Sequence, residues 1–446
     1  MGLVVDAEKT LGDTTQRRVA VGIDPSRVAL QMSLLSPDGE KPRSKRVALG
    51  PSAVKAIEKL LHGQQGVIAM EGSYSTGQLF LLELLERQYD VREIHPMVSK
   101  RFREALTEDH TDETDADGLA FMGLWKQDLP SVRFSEEQAV CKRLSRLRDR
   151  LGRDHTRYLN RLHACLSETY GASYKGLFRD LSAKKALRFF HQYPTINDAV
   201  AGDPDVLSQI SKEAWERLKG AGCWREGSYL RCLRTEVRAM AAHILSLQER
   251  ISETEREMAK LPPSEEQLLL QTIPQVGLIT AMTVVGNTGD ISRFGGNVHK
   301  YVAYCGLAPR RHQSGASESE GRARRRYNRY LKRAYVLLAL NQMRLNPQAR
   351  EYYTRKRHEG KRHWAALRCL ARHLCRIAFR ILTTKRTYHE VMARNTVDSS
   401  VKSLSSVTTL RRHTSSGSSE NLSATTAAYQ CSKKQTGVFL RRNHCL

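Results

Sequence analysis

The chain has 446 residues, 40% of them hydrophobic, and carries 72 Lys plus Arg against 47 Asp plus Glu for a formal net charge of +25. That length accommodates two or three domains with a sizeable core. No apolar run is long enough to span a bilayer and the amino terminus lacks a signal-peptide pattern. The nine cysteines show neither CxxC spacing nor His partners at zinc distances, so a disulfide or zinc framework is excluded and reduced thiols are expected.

In chain order, Arg18 to Asp24 is a short β-branched apolar run followed by Pro25-Ser26-Arg27, which predicts a buried strand ending in a carboxylate. Val28 to Leu35, the turn Pro37-Asp38-Gly39 and Ser44 to Leu49 complete a three-stranded meander. A helix is expected from Ser52 to Leu61, then a strand from Gly66 to Glu71 that again ends in an acid. Gly72 to Gly77 breaks it, Gln78 to Arg87 reads as helix, and Tyr89 to Ile94 as a fifth strand. A further helix opens at Asp112, placing Asp112 and Asp115 at i and i+3 on one face.

Asp24, Glu71, Asp112 and Asp115 converge only if the strands lie side by side, as the βββαβ order of an α/β ribonuclease-H-like (RuvC-like) domain would arrange them. Oxygen donors without nearby His or Cys suit Mg²⁺ or Mn²⁺. Two such ions about 3.5–4 Å apart activate an attacking oxygen and stabilise a leaving one in phosphodiester chemistry. Against this stands the ordinary use of acids to cap helices and end strands. Asp112, beside Thr111, suits a helix N-cap as well as a ligand, and Asp117 falls off the shared face.

The middle of the chain is helical. Leu144, Leu151, Tyr158 and Cys165 recur every seven residues, and Val237 through Leu261 alternates spacings of three and four until Pro262-Pro263. Such a seam fits a coiled coil, or an amphipathic helix buried in its own domain; heptads do not say whether the partner is the same chain. Gly171 to Trp224 is expected to be helical, with loops at Tyr193-Pro194 and Gly202-Asp203-Pro204.

The last part begins with a helix, the turn Thr272-Ile273-Pro274-Gln275-Val276-Gly277 and a second helix, resembling a helix-hairpin-helix whose turn offers N–H groups to phosphates. Arg310-Arg311-His312-Gln313-Ser314-Gly315 reads as a loop. A basic helix is expected from Arg322 to Leu345, another from Ala349 to His358 and a final one from Trp364 to Lys385. From Arg293 to Arg386 there are 24 Lys plus Arg and 4 Asp plus Glu. With Arg322, Arg324, Arg325, Arg326, Arg329, Lys332 and Arg333 in twelve residues, together with Arg310 and Arg311, this is the pattern of a nucleic-acid-binding surface rather than a solvated charge run. Beyond Met392 the chain is rich in Ser and Thr, and a disordered tail is expected.

These residues resemble the DEDD transposases of bacterial insertion sequences of the IS110 family. The resemblance covers Val19 to Glu104, the box Thr111-Asp112-Glu113-Thr114-Asp115-Ala116, and Leu268 to Leu382 with Tyr304-Cys305-Gly306-Leu307-Ala308-Pro309, Gln313-Ser314-Gly315 and Asn346-Pro347. It implies that Asp24, Glu71, Asp112 and Asp115 are the DEDD metal ligands. It also implies that Ser314 is a nucleophile forming a phosphoserine intermediate with DNA, flanked by Arg310, Arg311 and His312. Further implications are a noncoding guide RNA, a homo-oligomer (dimer or tetramer) and a cytoplasmic, nucleoid-associated bacterial protein without membrane contact. The chain departs from the pattern in having Thr111 where a lysine usually precedes the acidic box, and Gln275 where the turn usually has glycine.

The expected organisation is a RuvC-like catalytic domain over residues 1–130, a helical coiled-coil segment over 131–262, a mainly α-helical transposase domain over 263–392 and a tail over 393–446. Two other readings compete: a structure-selective endonuclease using the metal site alone, and an inactive nucleic-acid-binding protein. Ser317 and Ser319 are rivals of Ser314.

Overall fold

The computed structural model describes residues 18–38, 42–71, 77–94, 96–106, 111–126, 129, 131–133, 135–203, 205–308, 310–314, 317–321 and 327–393, with residues 310–314 and 317–321 described by their backbone. The expected tail, residues 393–446, lies outside them except for its first residue. The described residues through His389 belong to one compact unit.

The amino-terminal part is a five-stranded sheet of β1 (Val19–Pro25), β2 (Ala29–Leu35), β3 (Arg43–Ala48), β4 (Gly66–Glu71) and β5 (Asp90–Ile94), in the order β3-β2-β1-β4-β5. β1, β2 and β3 pair antiparallel, whereas β4 and β5 run parallel to β1. The meander and the two added parallel strands are the ribonuclease-H-like order. β1 lies in the middle, and its side chains are buried up to Ile23, which is why its sequence is nearly all apolar. β3 forms one edge, and Arg43, Lys45 and Arg46 keep that edge charged.

The two faces of the sheet are covered differently. Val21, Ile23, Ile68, Met70 and Val91 pack under α1 (Ala53–Leu61) and α2 (Gln78–Glu86). The other face, with Ala69 and Ile94, meets α3 (Pro96–Leu106) and α4 (Asp112–Trp125) through Leu119, Met122 and Phe102. α4 lies almost directly on the backbone of β1. A Cβ built at Gly22 would sit 2.0 Å from the Ala116 carbonyl oxygen and 2.3 Å from the Ala120 nitrogen, and one at Gly123 would sit 2.9 Å from the Ala69 Cβ.

α5 (Glu136–Thr169) then leads through a helical insert, α6 (Lys184–Gln192), α7 (Ile196–Ala201), α8 (Asp205–Gln209) and α9 (Lys212–Ala221), to α10 (Ser228–Lys260). The two long helices pair within the chain. Arg148 meets Glu255, His155 meets Gln248, Tyr158 meets His243 and Glu168 meets Tyr229, so partners descend α10 as they climb α5 and the pair is antiparallel. The heptad seam thus has its partner in the same chain, with Val237, Ile244, Leu247 and Met258 buried. The insert closes over the far end with Phe189, Phe190 and Trp215, all at most 2% exposed.

The carboxyl-terminal part comprises α11 (Glu265–Gln271), α12 (Leu278–Thr288), α13 (Val298–Tyr304), the hairpin β6 (Arg310–Ser314) and β7 (Ser317–Gly321), α14 (Arg329–Leu345), α15 (Pro347–His358) and α16 (His363–Thr384). α12 presses onto α5 where Gly286 faces the Lys142 backbone nitrogen, 2.3 Å from where a Cβ would be. A buried hydroxyl chain, Thr288 to Tyr301 at 3.0 Å and Tyr301 to Tyr335 at 2.8 Å, ties α12, α13 and α14 together.

Two expectations need correction here. The segment read as a loop at Ser314 is a hairpin, with Ser314 paired to Ser317 at its closed end. Within the described residues the basic helix begins at Arg329, capped by Asn328, rather than at Arg322. Gln275 adopts φ 65°, in the left-handed region that glycine favours.

Candidate active site

Asp24 stands at the carboxyl end of β1 and Glu71 at that of β4, each on the face that carries α4. The alternation of the strands sets this: Val21 and Ile23 point to the α1 and α2 side, so Asp24 must point to the other. α4 begins with Asp112 and Asp115 in its first turn, where the positive helix end favours anions. Its N-cap is Thr111, whose hydroxyl accepts from the Thr114 N–H at 3.1 Å, so Asp112 is not the cap and is left to other partners. The close seat of α4 on Gly22 carries both acids toward Asp24.

The electrostatics show the result. The Asp24 carboxyl is pushed up to about 6, first by burial and then by Glu71, Asp115 and Asp112, with Arg103 opposing. Three elements, β4, α3 and α4, therefore act on the one carboxylate that ends β1. Each of the other acids has a partner: Ser99 Oγ donates to Glu71 Oε2 at 3.1 Å, Arg46 Nη1 lies 3.5 Å from Asp112, and Arg103 pairs with Asp115. Asp117 turns to β2, where Ser33 donates to it, as its place off the shared face requires.

Arg103, Ser99, Arg46 and Gly22 were not singled out in the sequence. Arg and Ser on an amphipathic helix are unremarkable there, and only the glycine among β-branched residues marked the place of a close approach. Among the described residues no three acids stand close enough to hold one ion in common, even though Asp24 feels all three others. Arg103, paired with Asp115, supplies positive charge that partly offsets the repulsion on Asp24. The donor chemistry of the set, though not its spacing here, suits a hard divalent ion. Its donors are all carboxylate oxygens, and Asp115 Oδ1 is buried without a hydrogen-bond partner among the described residues.

Nine cationic positions were read as nucleic-acid contacts. Arg310 and Arg311 lie on β6, while Arg322, Arg324, Arg325 and Arg326 lie outside the described residues. On α14, Arg329 stacks on Tyr330, Lys332 lies over Tyr327 at 4.5 Å from the ring centre, and Arg333 pairs with Asp149 of α5 at 2.9 Å.

A ribonuclease-H-like sheet with acids at the ends of its two central parallel strands and on the helix laid across them defines a domain of the DEDD type. Residues 21–171 match a family model of DEDD transposases described as "Transposase", and residues 267–354 match one described as "Transposase IS116/IS110/IS902 family". Each of the two segments is thus similar to a transposase family model.

Similar proteins include an insertion-element protein of Streptomyces coelicolor, 38% identical over 28% of this chain and 30% of that protein. An insertion-sequence transposase of Coxiella burnetii is 30% identical over 42% of this chain and 43% of its own length. A probable family 20 transposase of Pseudomonas aeruginosa is 26% identical over 60% of this chain and 68% of its own length. The chain thus spans less than half of the Streptomyces and Coxiella relatives. Among solved structures, Thermus thermophilus RuvC with a Holliday junction substrate matches at a TM-score of 0.19 and 17% identity, covering 26% of this chain and 99% of that chain. The fold assignment stands on the strand order and not on that overlap.

Among the described residues no helix is long and apolar enough to cross a membrane. The seven cysteines described are free thiols, four of them buried.

Proposed function

We propose that this chain is an insertion-sequence transposase that breaks and rejoins DNA strands with a serine nucleophile and a metal-dependent DEDD site. The observation that carries the proposal is that β1, β4 and the first turn of α4 bring Asp24, Glu71, Asp112 and Asp115 to one end of the sheet, on the face that α4 covers. Carboxylates that repel one another at the end of a buried strand weaken the metal-free fold and are retained where a cation is to be held.

Asp24, Glu71, Asp112 and Asp115 would hold Mg²⁺ or Mn²⁺. Such an ion, when bound, supplies positive charge to the phosphoryl oxygens and lowers the proton affinity of an attacking oxygen. The chain's own part is to present these acids ionised, which for Asp24 requires loss of its proton near pH 6. Ser99 fixes the orientation of Glu71, and Arg103 must yield Asp115. In the serine step, a bond forms from Ser314 Oγ to phosphorus, the strand's P–O bond breaks, and the hydroxyl proton passes to the leaving oxygen. Arg310 and Arg311, four and three residues before Ser314 on β6, would meet the phosphate. A noncoding RNA that pairs with DNA would supply sequence choice, leaving the protein to read backbone and shape, and a homo-oligomer would bring acids and serine together from different subunits.

One observation favours a second reading, hydrolysis by the acids alone: all four come from residues 24–115, so that the acid site needs nothing from the carboxyl-terminal half. The experiment that separates the two combines the protein, its element's end DNA, the element's transcript and Mg²⁺ on a denaturing gel. The proposal expects a covalent protein–DNA species that is absent with Ser314→Ala. Cleavage without any adduct, unchanged in that variant, establishes the hydrolytic reading, and wild-type activity in Asp24→Asn refutes both.

A further inference from the structure

A cavity of about 250 Å³ lies on the face of the sheet away from the acids, where β4, β5 and α2 meet α5 and the carboxyl end of α12. The closeness of α12 and α5 at Gly286 creates it, since that contact sets Lys142 against Asn287 and Thr288. Met70, Leu81, Val91 and Val132 make one wall apolar. Three cations, Arg133, Lys142 and Arg293, line the rest against a single carboxylate, Glu93. Gln78 Nε2 is buried there without a hydrogen-bond partner among the described residues, and Gln138 and Asn287 add further amide groups. The Arg293 guanidinium is stacked 4.6 Å from the Tyr304 ring centre and 4.9 Å from that of Phe294, which holds it flat at the rim.

We propose that this cavity is a binding pocket for a single nucleotide unit, its phosphate held by Lys142, Arg133 and Arg293 and its base enclosed between the apolar wall and the amide groups of Gln78 and Gln138. Size and chemistry argue together. The volume lies below the roughly 300–1,000 Å³ usual for drug-sized ligands, so it encloses one base and leaves sugar and phosphate at its open, cationic rim. An apolar wall with a few amides is how a base taken out of its stack is enclosed and read, and an excess of cations answers one phosphate. The state of Lys142 agrees: burial, then Arg146 and Arg293, push its ammonium down to about 8 against the pull of Glu93, a position that an anion in the cavity would relieve.

The unit has two sources, a free nucleotide or an unpaired nucleotide within a strand, and the pocket chemistry is the same for both. None of the four acids lines the cavity, so the inference stands apart from the proposed reaction and Asp24→Asn should bind nucleotide as wild type does.

The test uses the full-length protein without metal. dAMP and dTMP are titrated calorimetrically against wild type, Lys142→Gln and Ser131→Phe, the last placing a ring into the cavity while leaving its cations. Saturable binding by wild type that weakens about tenfold or more in both variants, with unchanged thermal melting, is expected; tenfold corresponds to about 1.4 kcal/mol. No binding by wild type, or binding as tight as wild type by either variant, overturns the proposal. Inorganic phosphate competing as well as dTMP also overturns it, because it would show an anion site without a place for the base. The source is read from a single strand carrying one 2-aminopurine. Brightening that dTMP reverses identifies a nucleotide of a strand, and mononucleotide binding without brightening identifies the free ligand.

Discussion

The acid-bearing and serine-bearing parts of the chain are positioned by opposite means. In the first, regular elements are pressed together until backbone touches backbone: α4 lies on β1 at Gly22, and the acids take their places from strand alternation and helix periodicity. In the second, a short polar hairpin joins helices whose core is remote from it, and Ser314 takes its place from the pairing of β6 with β7. A position built on a packed sheet and helix is held more precisely than one at the end of a short polar hairpin.

The sharpest break of that comparison comes at Gly22. Gly22→Val must push α4 off β1 and should lower unfolding stability by about 3 kcal/mol, the upper end for overpacking, because the obstructing atoms are backbone. Urea unfolding checks this, and a loss below about 1 kcal/mol would show that the seat of α4 is loose.

Next in size is the penalty of the acids themselves. An Asp whose folded value, about 6, exceeds its unfolded one destabilises the fold above pH 6, and the penalty fades as pH falls through 6 toward the ordinary carboxyl value of 3.8. Asp24→Asn should therefore stabilise the metal-free protein by about 2 kcal/mol at pH 8, discounted for partial exposure, with little difference near pH 4. Melting curves across that range should show the gap closing on acidification; a gap that widens would contradict the assigned repulsion.

The smallest effect lies in the other part. Gln275→Gly relieves a left-handed side-chain conformation but loosens the unfolded chain, and a net gain of about 0.5–1 kcal/mol is expected in thermal unfolding. An unchanged or lower melting temperature would mean that the Gln275 side chain contributes more than its strain.

How much was legible in the sequence follows the same division. Val19 to Asp24 and Gly66 to Glu71 could be read because a buried strand must be apolar up to the acid that ends it, and the five strands followed in order. The i, i+3 spacing placed Asp112 and Asp115 together. Hidden was the cation among them: Arg103 sits on a helix whose sequence gives no periodic sign of facing acids, and only the fold brings it to Asp115. The heptads announced long helices but not that their partner was in the same chain, since a seam is identical in both cases. The Arg310–Ser314 hairpin was missed because it has no apolar alternation; its strands are recognised by backbone pairing alone.

The most direct test of the acid site is Mn²⁺ binding followed by electron paramagnetic resonance in wild type and in Asp115→Asn. Saturable binding to wild type, accompanied by a rise in melting temperature and strongly weakened in the variant, is predicted. Equal binding by the two proteins, or none by wild type, would contradict the claim that these four carboxylates form a metal site.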